Sequence, residues 1–400
     1  MIATKFRRDS ALGVALAAAV VLVLVGAAVA PPPPRLHRLF IKGHLPPPAF
    51  PADNPLTDEG IALGRRLFFD RGLSADGTVS CADCHLPRAA FSDDKAASRG
   101  VYGQRSRRHS MPLFNLAWRR GFFWDGRATT LREQVLHPLT DPTEMGETPR
   151  GLAAKLSADP SLRRDFAAAF GPGPPTTATL ALALEQYMLV QISQDSKYDR
   201  AAMGETTFTA LEARGLELFF QEFAPARGLR GADCFHCHGT PLFTNERFAD
   251  NGLGPLPPGD RRGLDPARGP DRGRAEVTGR PRDEGAFKVP SLRNVALTAP
   301  YMHDGRMGTL RQVLDHYDRH VVDTGNLDPN LAKHGGPLGL TDDDKDALLA
   351  FLGTLTDTAF TARAEADQTA ERALHPDKDR TRPPPPDGPP GRRPPPPPPR

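Results

Sequence analysis

The 400-residue sequence has only four cysteines, and no run in it alternates apolar with polar residues clearly enough to be a buried strand. The missing alternation argues against an architecture built on strands. An excess of one charge is also missing. Lys and Arg outnumber Asp and Glu by three, too few to imply a nucleic-acid partner. Apolar residues make up 39% of the chain, enough for a core, and the length suits about two domains.

One apolar run, Ala11 to Ala30, is long enough to span a bilayer. Lys5, Arg7 and Arg8 precede it, so that flank should stay cytoplasmic and the rest be delivered outside. "AVA" before Pro31 resembles a small-residue cleavage site, but the proline directly after it hinders cleavage. Residues 1–34 therefore read as a signal peptide or an inner-membrane anchor with a proline linker, the uncleaved anchor being preferred. At the other end, residues 361–400 carry charged residues and then proline runs broken by Arg392 and Arg393, which predicts a disordered, semi-extended tail.

An even cysteine count in an exported chain suggests two disulfides. The spacing suggests otherwise. "CADCH" (81–85) and "CFHCH" (234–238) are both C-x-x-C-H. Thiols one helical turn apart can reach the vinyl groups along one porphyrin edge, and the next histidine is directed at the iron. A thioredoxin-like dithiol would need a βαβ context that is not seen here, and a zinc ribbon spaces its pairs by tens of residues, far less than here. The pattern predicts two covalently bound c-type haems, on Cys81 and Cys84 and on Cys234 and Cys237, with His85 and His238 as proximal ligands. His236 reads as a surface residue of its loop.

The chain also repeats itself. "LTDEGIALGRRLFFD" from Leu56 and "FTALEARGLELFFQ" from Phe208 are amphipathic helices that each lead to a C-x-x-C-H. Thr57 is the expected N-cap of the first, and Thr209 with Glu212 forms a capping box for the second. Downstream, "WDGRATTLREQVLHP" from Trp124 aligns with "HDGRMGTLRQVLDHY" from His303, so Pro138 falls opposite Tyr317. Pro112 and Asn115 echo Pro290 and Asn294. The expected fold is all-α, with two cytochrome c-like domains at about 50–200 and 205–357. An apolar helix at 179–193 is expected to join them, a helix at 340–355 to close the second, and 249–286 to be a long loop.

"FFWDGR", "DPTEMG", "FKVPSLRN" and "TAPYMHDGR", with the two C-x-x-C-H motifs, resemble the bacterial di-haem cytochrome c peroxidase family, which includes the MauG proteins. The resemblance covers roughly residues 50–357. It implies an all-α periplasmic oxidoreductase that uses hydrogen peroxide. Electrons would come from a small cytochrome c or cupredoxin, or from a protein substrate. It also admits a homodimer.

The resemblance assigns further residues. Tyr317 stands where ordinary peroxidases have an axial methionine and MauG a tyrosine, so Tyr317 is expected on the second iron. His316, Met302 and Met307 remain as alternatives. Pro138 has no donor, which leaves the first haem with an open face. Val101 stands where ordinary peroxidases carry a blocking histidine, with His109 as a conceivable substitute block. Glu144 matches the catalytic glutamate, Gln134 a distal glutamine of the MauG branch, and Trp124 the tryptophan between the haems. Calcium is implied between the domains, with Thr298 and Pro300 as backbone donors. The asparagine of that site is here His109, and imidazole is a poor calcium ligand. A carrier with both irons six-coordinate is the non-enzymatic alternative.

Overall fold

A computed structural model describes residues 32–256, 260 and 269–376. The apolar segment within 1–31 and the proline runs after 376 lie outside the described residues. Among the described residues no helix is long and apolar enough to cross a membrane.

Two helical units repeat one packing motif. In the first unit, α1 (Asp58–Phe69) is capped by Thr57, whose hydroxyl accepts from Gly60 N. Short α2 (Cys81–Cys84) follows, then α3 (Leu131–Thr140), α4 (Pro149–Ala158), α5 (Pro160–Phe170) and α6 (Thr177–Leu189). After α7 (Lys197–Ala202), the second unit opens on α8 (Ala210–Phe220), where Thr209 and Glu212 form the expected capping box. Two-residue ladders follow, β1 (Phe223–Ala224) with β2 (Leu229–Arg230) and β3 (Phe248–Ala249) with β4 (Phe287–Lys288). Short α9 (Ala275–Thr278) lies within the stretch read as a long loop. Then come α10 (Leu310–Asp315), α11 (Pro329–Ala332) and α12 (Asp342–Gly353), the last capped by Thr341.

The core of each unit forms where its first helix crosses its last. A Cβ on Gly64 of α1 would stand 2.0 Å from the Ala183 carbonyl of α6. A Cβ on Gly215 of α8 would stand 1.9 Å from the Ala347 carbonyl of α12. Only a glycine lets the backbones approach this closely. The helix expected to join the domains at 179–193 is thus α6, ending at Leu189, and it is the counterpart of α12. Its continuous apolar character comes from burial: Leu180, Leu184 and Tyr187 are all within the first core.

The asparagines of the duplication close each unit in the same way. Asn115 and Asn294 both have left-handed φ, 54° and 56°. Asn115 Oδ1 accepts from Ser193 N just past α6, and Asn294 Oδ1 accepts from Asp357 N just past α12. A short polar side chain suits this conformation because it can bond locally.

The expected disorder from 361 onward is overturned for its first part. Residues Thr358–Leu374 form α13, capped by Asp357, and this helix returns to the first unit. Phe360 and Ala364 belong to the first core, and Glu371 and Asp367 pair with Arg65 of α1. The units are also tied by Arg108, which reaches Asp125 at 2.5 Å and Asp271 at 2.7 Å. Arg293 and Asp199, both fully buried, form a two-pronged pair at 2.8–2.9 Å between α7 and the second unit.

Candidate functional site

Cys81 and Cys84 bracket the single turn of α2, which Ser80 and Asp83 cap reciprocally. Arg71 grips Asp83 with both prongs, at 2.9 and 2.6 Å, and so fixes this turn. The next residue, His85, donates Nδ1–H to the Phe91 carbonyl at 2.8 Å. That bond leaves Nε2 as the ring's free electron pair, the form a metal takes. The second motif is a 3₁₀ turn, Cys234–His236, followed by Cys237 and His238, and His238 Nδ1 meets the Phe243 carbonyl at 3.2 Å. All four thiols are unbridged. Burial holds them protonated, pushing Cys81 and Cys234 up to about 12. Paired unbridged thiols and a tethered imidazole with one free nitrogen fit a covalent haem at both places.

The surroundings of the two motifs differ. Beside the first, α3 carries Gln134 and Pro138 one turn apart, both half-buried. The Pro138 carbonyl accepts from Met145 N at 3.0 Å, and the Leu139 carbonyl from Glu147 N at 2.9 Å. These bonds fasten the Glu144 loop to the end of α3. The Glu144 carboxyl is pushed up to about 7, chiefly by burial and further by Asp141, with Arg127 opposing. Its charge also raises both Cys81 and Cys84, which places it beside the first motif. Val101 is fully buried and donates its N–H to the Glu144 carbonyl at 2.8 Å.

Around the second motif lies a cavity of about 220 Å³ lined by Cys234, Cys237, His238, Asn251, Met302 and Tyr317, among others. Tyr317 sits on a π-turn, His316–His320, that continues α10. One extra residue in a turn redirects side chains, and such turns collect at functional sites. The Tyr317 hydroxyl accepts from Asn251 Nδ2 at 3.2 Å, and burial pushes the phenol up to about 12. His316 is drawn away, its Nε2 bonded to the Asn251 carbonyl at 3.0 Å. Met302 remains beside Tyr317, with its sulfur 3.5 Å from Asn251 Nδ2. Met307 pairs with Tyr301 through its backbone and is not among the residues that line the cavity.

Trp124 is 9% exposed and lines the same cavity as His238, although it comes from the first unit. Its indole N–H donates to the His109 carbonyl at 2.8 Å, and its own carbonyl accepts from Lys288 N of β4 at 2.7 Å. His303, its partner in the duplication, stacks on Phe287 at 3.6 Å. The His109 ring has both nitrogens engaged, Nδ1 with the Lys95 carbonyl and Nε2 with the Ser92 hydroxyl.

The profile described as di-haem cytochrome c peroxidase matches residues 58–207. The methylamine utilization protein MauG of Methylorubrum extorquens is 38% identical over 309 residues, covering 76% of this chain and 80% of that one. The chain belongs to the di-haem cytochrome c peroxidase family. The cytochrome-c peroxidase IdrP1 of Denitromonas iodatirespirans is 33% identical, covering 79% of this chain and 86% of that one. A solved MauG-like protein associated with microbial copper homeostasis is 36% identical with a TM-score of 0.71, covering 81% of this chain and 97% of that one. Membership makes this chain an oxidoreductase that acts on peroxide, and it implies two c-type haems.

One implied group does not fit. The calcium expected at Thr298 and Pro300 is not supported, because the His109 imidazole stands among the oxygens of that region. Asn251 is a site residue that sequence reasoning missed. It lies in a stretch read only as loop, and no motif or periodicity marks it.

Proposed function

We propose that this member of the di-haem cytochrome c peroxidase family is a MauG-like oxidase, working in the periplasm, that uses peroxide to modify a partner protein. Cys81, Cys84 and His85 would hold one haem, and Cys234, Cys237, His238 and Tyr317 the other; when bound, these groups supply one-electron redox chemistry and an iron at which peroxide is split. Pro138 has no donor and keeps the distal side of the first site open. Glu144, with a carboxyl pushed up to about 7, takes the proton of one peroxide oxygen and returns it to the other, so that the latter leaves as water. Gln134 orients the peroxide by hydrogen bonding. Trp124, in the wall between the units, offers its indole for electron passage between the two sites.

The observation that carries this reading is the contrast between equivalent positions: a phenol faces the cavity at 317, and a proline abuts the Glu144 loop at 138. The burial of Val101 supports a first site that needs no reductive activation. The MauG relative at 38% identity points the same way. A second reading is a peroxidase fed by a small cytochrome c or cupredoxin, which the likeness to IdrP1 favours.

Ferric EPR and stopped-flow spectroscopy test these readings. One high-spin and one low-spin signal support the enzyme, whereas two low-spin signals would leave an electron carrier. Peroxide added to the resting diferric protein should change its spectrum at once. A response only after partial reduction would favour the donor-fed peroxidase.

A further inference from the structure

His109 lies where the two units meet, and only 4% of it is exposed. Its Nδ1 donates to the Lys95 carbonyl at 2.9 Å, its Nε2 stands 3.0 Å from Ser92 Oγ, and the Thr298 backbone also bonds the ring. The Ser92 hydroxyl also lies 2.7 Å from the Ser110 carbonyl, so its proton is shared between that oxygen and Nε2. Burial lowers the pKa of this imidazole and keeps it neutral, so with its one N–H on Nδ1 its Nε2 is the acceptor that faces the Ser92 hydroxyl. The oxygens come from both units. The peptide of His109 extends the bridge: its N–H donates to the His303 carbonyl at 2.8 Å, and its carbonyl accepts from the Trp124 indole.

Converging neutral oxygens around a buried centre make a setting for a hard cation. Calcium asks for six to eight of them at about 2.3–2.6 Å. The ring of His109 fills that centre and adds no oxygen. Its single N–H satisfies the Lys95 carbonyl, and its Nε2 lone pair meets the Ser92 hydroxyl. We infer that the His109 imidazole takes the place of a calcium ion between the two units, so that this protein joins its halves here without metal. The directed hydrogen bonds of a neutral ring then stand where a central charge would.

Calcium content and thermal stability of the holoprotein test this. Wild-type protein exposed to calcium and desalted should retain well under one calcium per chain by plasma mass spectrometry. Neither calcium nor EGTA should move its thermal midpoint or its haem spectrum. His109→Asn, which restores a side-chain oxygen, should take up one calcium per chain and gain thermal stability from calcium, reversed by EGTA. Stoichiometric calcium in the wild type, or a wild-type midpoint lowered by EGTA, overturns the inference. A folded His109→Asn protein indifferent to calcium overturns it as well, since the oxygens would then form no ion site. If that variant does not fold, the wild-type measurements decide alone.

Discussion

The Asn251 amide donates to the Tyr317 hydroxyl at 3.2 Å and lies 3.5 Å from the Met302 sulfur. One side chain thus holds two candidate iron ligands, an oxygen and a thioether, at the edge of the His238 cavity. Tyr317→Phe should abolish the low-spin ferric signal of the second haem and leave haem content unchanged, because Cys234 and Cys237 still hold the group. Tyr317→Met should shift that haem's reduction potential upward, since a thioether favours ferrous iron. Spectroelectrochemistry checks this, and an unchanged potential would move Tyr317 off the iron.

Glu144 must be ionised in the free enzyme to accept the first proton. With its carboxyl raised to about 7, kcat/KM for peroxide should climb tenfold per pH unit below that value and level off above it. Glu144→Gln should lower kcat/KM by roughly 10²–10⁴-fold at the plateau and remove this acid limb, with haem content intact. A limb that persists in the variant would assign it to another group.

The two glycine crossings predict matching damage in both units. Gly64→Ala and Gly215→Ala put a methyl 2.0 and 1.9 Å from a facing carbonyl. Alanine favours a helix by about 1 kcal/mol over glycine, yet forcing the helices apart costs about 1–3 kcal/mol or more. Both variants should have lower thermal midpoints than wild type. A stabilised variant would show that the helices slide apart freely.

Phe360, on the first turn of α13, is fully buried, edge-on against Phe114 with ring centres 6.0 Å apart and tilted against Phe91 at 5.9 Å. Phe360→Ala should therefore destabilise the first unit by about 3–5 kcal/mol. Proteolysis and thermal melting of the holoprotein would reveal this. An unaffected melt would mean that α13 contributes little to the first core.

Much of the fold could be read along the chain because each signal is local. Thr57, Thr209 and Thr341 cap the helices that their neighbours predict, for a capping bond spans only three residues. The pairing of Asn115 with Asn294 was visible as a faint echo, though the shared closure on Ser193 and Asp357 was not. Helix α13 was misread because its sequence is polar overall. Phe360 and Ala364 in the first core and the ion pairs to Arg65 hold it, and Arg65 lies some three hundred residues away from its partners.

The sequence by itself determined the two haem-binding motifs, the duplication and the contrast between Pro138 and Tyr317, because these rest on residue identity and short spacing. Only the tertiary structure decided that Asn251 holds the phenol, that Val101 is fastened to the Glu144 loop, and that His109 sits among oxygens from both units. Such contacts join distant segments, and their geometry exists only once the two cores have packed.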